Sequence, residues 1–202
     1  MGKTTLIRAI IERGYAHNPN INRYYIDTKQ QGDFTASDGV IITDDHAPDA
    51  FTTTGKSMVW QPLSDDKEVY SRFFENILRA KLPCYVDIDE CANQKFGDTI
   101  PRGLSLLVLQ GRGAGMNVIG GTQEVAKSPR QLASQATWVI SFNLVNSYDE
   151  RTMIDRLHLE GPNGKPPKHL KLKKGEFYAF NNVTQQPPKL YKHFREFLVN
   201  VQ

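Results

Sequence analysis

Cysteine is nearly absent: Cys84 and Cys91 are the only two in 202 residues. Two cysteines make neither a disulfide framework nor a metal box. Both are expected to stay reduced thiols in a cytosolic setting. Long apolar runs are missing as well. None approaches the roughly 20 residues that a membrane helix needs, so no membrane segment is expected. At the start of the chain Lys3, Arg8, Glu12 and Arg13 interrupt any apolar stretch, which does not read as a signal peptide. His17, His46, His158, His169 and His193 lack metal-ligand spacing and receive no role. No internal repeat is visible.

What is present is an ordinary globular composition, 39% hydrophobic and 23% charged, in a chain long enough for one domain with a sizeable core. The net charge of +3 is unevenly spread. Residues 161–202 carry eight Lys/Arg against two Asp/Glu, whereas the other 160 residues carry 17 against 20. A basic tail on a slightly acidic body fits a nucleic-acid partner or a solvated charged face, and charge alone leaves both open.

Helical and strand patterns alternate, which predicts an α/β fold with a mainly parallel sheet flanked by helices. Thr4 to Arg13 reads as a helix ending at Gly14, a plausible glycine stop. Strands are expected over 21–27, 39–43, 57–61, 84–88, 116–120, 137–142 and 176–180. Val69, Tyr70, Phe73, Phe74, Ile77 and Leu78 recur at helical spacing behind capping candidates at Ser64, Asp65 and Asp66. Further helices are expected over 104–110, from Ser128-Pro129 to about Ser134, over 148–158, and over Leu190 to Val199. Gly161 to Gly164 and Pro166-Pro167 read as a break. Tyr24, Tyr25, Trp60, Phe73, Phe74 and Trp138 follow these patterns and read as core.

Three short stretches carry chemistry. Gly2-Lys3-Thr4-Thr5 matches the end of the phosphate-binding loop G-x-x-x-x-G-K-[ST]. Backbone N–H groups at a helix start face the phosphates, and the helix dipole favours their charge. Lys3 would reach the β- and γ-phosphates and the Thr4 hydroxyl would hold Mg²⁺. The strand and first glycine of such a loop do not precede Gly2, so the sequence is expected to be cut within the loop, with the first strand of the sheet missing. Gly55-Lys56-Ser57 also reads G-K-S but leads into a strand pattern stopped by Pro62, whereas a phosphate loop must open a helix.

The second stretch, Cys84 to Glu90, is an apolar strand ending in Asp-Glu, as a Walker B site requires. Asp89 would hold Mg²⁺ and Glu90 would deprotonate an attacking water. Asp87 shares a face with Asp89 and is either a second acidic ligand or a polar strand residue. The third runs from Arg112 through the strand 116–120 to Gly121-Thr122-Gln123. A Gln at a strand's carboxyl end can sense a γ-phosphate in the crevice where α/β sheets bind ligands. An Arg just before that strand can act in trans as an arginine finger.

In that order, Gly2-Lys3-Thr4, Asp89-Glu90 and Gly111-Arg112-Gly113 leading to Thr122-Gln123 resemble the HerA–FtsK superfamily of DNA-pumping P-loop ATPases. Tyr24 to Lys29 is similar to that family's strand after the phosphate-loop helix. The resemblance spans roughly residues 2–145. It implies a RecA-like core over residues 1–160, with the basic strand-plus-helix stretch 161–202 packed on the same domain. It also implies a homo-oligomeric ring that hydrolyses ATP with Mg²⁺ at subunit interfaces and moves double-stranded DNA. The small size looks most like a phage or viral packaging member, placed in the host cytoplasm or with the virion. On this reading Gly2, Lys3, Thr4 and Thr5 bind nucleotide, Thr4 and Asp89 hold metal, and Glu90, Arg112 and Gln123 are catalytic. A nucleotide kinase and a catalytically impaired assembly protein are the rival readings.

Overall fold

The computed structural model describes residues 2–30, 34–91, 99–144, 146–156 and 172–200. They form two compact units, one of residues 11–123 and 127–132, the other of residues 1–10, 124–126 and 133–202.

The first unit is built on a five-stranded sheet of β1 (Asn22–Asp27), β2 (Val40–Asp44), β3 (Ser57–Pro62), β4 (Cys84–Asp89) and β5 (Met116–Gly120). The strand order is β2-β3-β1-β4-β5 and every neighbouring pair is parallel. Parallel neighbours need crossover connections, and helices α2 (Lys67–Ala80) and α3 (Arg102–Gln110) supply two of them. The apolar positions of α2 recur at helical spacing, so Tyr70, Phe73, Phe74 and Ile77 are all buried. Asp66 caps this helix by accepting the Glu68 N–H at 2.9 Å, and Lys81 ends it in the left-handed conformation. Tyr24, Ile26, Trp60, Val86 and Ile88 meet α2 and α3 in one core. Burying a side chain such as Phe73 is worth about 1.5–3 kcal/mol relative to leaving it exposed. At Gly103 a Cβ would collide with the Ser71 carbonyl, so α3 crosses α2 closely, and Ser71 Oγ accepts the Gly103 N–H at 2.8 Å.

Strand residues of the other parity face the opposite side of the sheet. There Tyr85 lies against Gly14 of helix α1 (Lys3–His17). The helix was expected to stop at Gly14. It runs on to His17 because Gly14 serves packing: its missing side chain leaves room for the Tyr85 ring. Arg23 stacks 4.1 Å over the Tyr15 ring on the same stretch.

The second unit holds an antiparallel sheet, β6 (Trp138–Ser141), β7 (Phe177–Asn181) and β8 (Lys189–Tyr191), in the order β6-β7-β8. Alternation divides its side chains between two cores. Leu6, Phe177, Ala179, Tyr191 and Phe197 form one; Val125, Met153, Ile154 and Phe180 form the other. They bring in helices α5 (Ser147–Arg156) and α6 (Phe194–Asn200), while the short helix α4 (Arg130–Gln135) bridges the two residue sets. Buried Asp149 accepts the Ala126 N–H at 2.7 Å, tying residues 124–126 to α5.

The expected terminal helix over Leu190 to Val199 begins four residues late. Lys189–Tyr191 instead pairs with β7, and Tyr191 stacks on Phe177 at 5.5 Å. The apolar pattern there suited either element, and cross-strand pairing decided it. His158, His169, the break at 161–167 and most of the stretch Lys165 to Lys174 lie outside the described residues. The aromatic residues expected in the core are buried, except Trp138, which is half-buried and packs edge-on to Phe197. No helix among the described residues is long and apolar enough to cross a membrane.

Candidate functional site

Because all five strands of the first unit run parallel, their carboxyl ends share one edge of the sheet, and the chemistry-bearing residues of β1, β4 and β5 gather there. Asp27 and Asp89 are partners across β1 and β4, and Gly120 is partner to Ile88 across β5 and β4. Past the strands the pairing continues. Gly121 donates its N–H to the Ile88 carbonyl at 3.0 Å and accepts the Cys91 N–H at 2.7 Å. This holds the Gly121-Thr122-Gln123 turn beside Glu90.

Glu90 itself is buried and sits at a φ of 59°, unusual for a residue other than glycine. Three groups converge on its carboxylate. Thr122 Oγ1 donates to Oε1 at 2.9 Å. The Gln123 backbone N–H is shared between Oε1 at 3.0 Å and Oε2 at 3.1 Å. Lys29 Nζ donates to Oε2 at 3.1 Å in an ion pair.

The end of β1 is equally fixed. Asp27 is buried; its Oδ1 accepts the Gln30 N–H at 2.8 Å and its Oδ2 accepts Gln61 Nε2 at 3.0 Å. Thr28 Oγ1 donates to the Asp89 carbonyl at 2.8 Å. Gln30, with φ of 54°, reaches the Pro62 carbonyl through Nε2 at 3.1 Å. Lys29 is therefore presented toward β4 by a turn held on both sides.

Glu90 and Gln123 are thus brought together, through the Gln123 backbone; the residue itself is exposed. Asp89 precedes Glu90 and is half-buried. Asp87 is buried in mid-strand between Tyr25 and Ile119. Arg112 is exposed in a single 3₁₀ turn, Gly111–Ala114, before β5. It lies at the amino edge of the sheet, so a five-residue strand at roughly 3.3 Å per residue puts about 15 Å between Arg112 and its own chain's Glu90.

Gly2, Lys3, Thr4 and Thr5 open α1 in the other unit. The Leu6 N–H closes the first turn on the Gly2 carbonyl at 3.2 Å. Gly2 and Thr4 are exposed, and no atom lies within 4 Å of where a Gly2 Cβ would stand. The helix start is therefore open, and it offers N–H donors, an ammonium and a hydroxyl. That donor set, together with the Asp89 carboxylate, fits a Mg²⁺–nucleotide in kind, since Mg²⁺ takes hard oxygen ligands and phosphate takes N–H and ammonium donors. Gly55-Lys56-Ser57 leads into β3 and not into a helix. Lys56 is spent on Asn22 Oδ1 at 2.9 Å and on the Arg23 N–H at 2.8 Å.

Two contributors carried no role in the sequence reading, Lys29 and Thr122. Their signal was placement: each follows a strand whose carboxyl end must share an edge with Asp89-Glu90. His46, also without a role, lies between Asp44 and Asp45, with Nδ1 at 3.2 and 2.7 Å from their carboxylates, all three exposed. The hydrogen bond from Asp44, then the charge of Asp45, raises the His46 pKa.

No family model matches the sequence, and no curated protein matches it either. Solved structures do. The genome packaging NTPase B204 of Sulfolobus turreted icosahedral virus 2, in complex with ATP-gammaS, superposes over 88% of this chain and 99% of its own, with a TM-score of 0.54 at 18% identity. The AMP complex of the same protein covers 87% and 98%, with a TM-score of 0.55 at 18% identity. B204, the DNA-packaging ATPase of Sulfolobus turreted icosahedral virus, covers 87% and 98%, with a TM-score of 0.57 at 16% identity. The chain has the α/β fold of these RecA-like P-loop NTPases, with its five-stranded all-parallel sheet and flanking helices.

Proposed function

We propose that this chain is a genome-packaging ATPase of the HerA–FtsK type, hydrolysing ATP to move double-stranded DNA as a subunit of a homo-oligomeric ring. The observation that carries the reading is Glu90: an acidic pair at the carboxyl end of a central parallel strand, with its carboxylate met by the Thr122 hydroxyl and the Gln123 N–H of the next strand. A base and a γ-phosphate sensor are wanted side by side at that edge of an α/β sheet. The fold shared with the packaging NTPases supports the same reading.

On this reading Lys3, with Gly2 and Thr5, holds the phosphates, and Thr4 and Asp89 are the oxygen donors for Mg²⁺. When bound, that ion neutralises phosphate charge and orients the γ-phosphate. Glu90 takes the proton of the attacking water, and the Gln123 side chain, free at the surface, senses the γ-phosphate. Arg112, about 15 Å from Glu90 of its own chain by the strand-length estimate, serves the neighbouring subunit's site. The basic stretch Lys165 to Lys174 contacts DNA phosphates.

The test is phosphate release from Mg²⁺–ATP by the full chain with no acceptor substrate, with and without double-stranded DNA. DNA-stimulated release supports a translocating ATPase. Phosphate transfer to a nucleoside monophosphate with no release to water identifies a nucleotide kinase. Nucleotide binding without turnover under any condition identifies an assembly protein.

A further inference from the structure

An ionised carboxylate has about four acceptor sites. The contacts on Glu90 fill them: Oε1 takes Thr122 Oγ1 and the Gln123 N–H, and Oε2 takes the Gln123 N–H and Lys29 Nζ. A general base must turn an open lone pair to a water within about 2.6–3.2 Å. In this arrangement none is open on either oxygen, so the carboxylate is held in a resting position.

The three donors differ in how readily they can leave. The Gln123 N–H is fixed by the backbone turn that continues the β5–β4 pairing. The Thr122 hydroxyl sits on a short side chain in the same turn. Lys29 reaches Glu90 on a long flexible stem, and its side chain keeps 22% exposure against 9% for Glu90. Its backbone is clamped by Asp27, Thr28 and Gln30, so only the stem and ammonium have freedom. A compact, strongly hydrated ammonium on such a stem is the contact that water or a competing anion removes most easily.

We propose that Lys29 is a positioning residue that restrains Glu90, and that departure of its ammonium from Oε2 opens the acceptor site through which Glu90 acts. The proposal rests on the reading of Glu90 as the general base. Lys29 itself touches no reacting atom and acts through Glu90.

The test compares full-length wild type, K29M, K29Q, K29R, E90Q and the K29M/E90Q double variant, each shown folded by its melting curve. The first readout does not depend on turnover: the rate at which a water-soluble carbodiimide and an amine label Glu90, measured by peptide mass spectrometry against exposed Glu68 as internal standard. K29M and K29Q should label Glu90 on the order of threefold faster or more, as loss of a partly exposed ion pair implies, while K29R stays at the wild-type rate. Unchanged labelling in K29M and K29Q overturns the restraint whether or not the chain hydrolyses ATP. The second readout is steady-state hydrolysis. Removing the ammonium should raise kcat with KM within twofold of wild type (a ceiling of about 0.4 kcal/mol), K29R should behave as wild type, and K29M/E90Q should stay at the E90Q level. A fall or no change in kcat, or a double variant as fast as K29M, overturns it. Absence of hydrolysis in wild type, or E90Q as fast as wild type, instead overturns the reading of Glu90 as base, which the labelling rates alone leave untouched.

Discussion

Replacing Gly14 by Ala sets two effects against each other. In a helix interior Ala is better than Gly by about 1 kcal/mol, and Gly14 lies well inside α1. Judged by the helix alone, the substitution stabilises. The sheet opposes this. A Cβ at Gly14 would stand 2.6 Å from both Cε2 and Cζ of Tyr85 and closer still to its hydroxyl. The ring is half-buried in the face of β4 and has little room to retreat. Overpacking of this kind costs about 1–3 kcal/mol. The net expectation is a loss of up to about 2 kcal/mol, or a fall in Tm of roughly 4–8 °C at this chain length. Removing the ring should reverse the sign. In a Tyr85→Ala background, itself less stable, Gly14→Ala should raise Tm by about 2–4 °C, since only the helix term remains. Thermal melts of the four proteins measure both numbers. A rise in Tm in both backgrounds would refute the contact between α1 and β4 and return Gly14 to an ordinary helix position.

Arg112→Ala and Glu90→Gln chains, each inactive alone, should regain activity when mixed, because the sheet separates the two residues within one chain. With random equal mixing and independent sites between adjacent subunits, about a quarter of the sites hold both residues intact; no rescue with assembly confirmed would argue for a structural role of Arg112. Charge reversal across Lys165, Lys168, Lys171, Lys173 and Lys174 should weaken DNA binding and flatten its salt dependence if these lysines meet phosphates, and an unchanged slope would mark a solvated face. His46 should titrate above its ordinary value in an NMR pH series, its bonds to Asp44 and Asp45 present at low pH and lost as pH rises through the raised pKa. Asp44→Asn should bring the midpoint down, and an unmoved midpoint would contradict the contact.

Much of the parallel sheet was legible because its strands are apolar and short, and α2 because its period is unambiguous. Glu90 and Gln123 were legible for a related reason: a residue that follows a parallel strand must come out at the carboxyl edge. Less visible was anything that depends on which element a residue meets. Gly14 carries the signature of a helix stop, yet the Tyr85 ring opposite makes it a packing site inside the helix. Leu190-Tyr191 fits a helical or a strand pattern, and only the edge of β7 decides between them. Lys29 is one lysine among many in the sequence, and its pairing with Glu90, 61 residues on, arises from the parallel register of β1 and β4.

The central claim is tested most directly by Glu90→Gln in the full chain, with nucleotide binding and turnover measured side by side. The substitution keeps the shape of the side chain and removes the base. The account predicts that Mg²⁺–ATP still binds as it does to wild type while kcat falls about 10²- to 10⁴-fold, the usual cost of losing a general base. Wild-type turnover in this variant would contradict it.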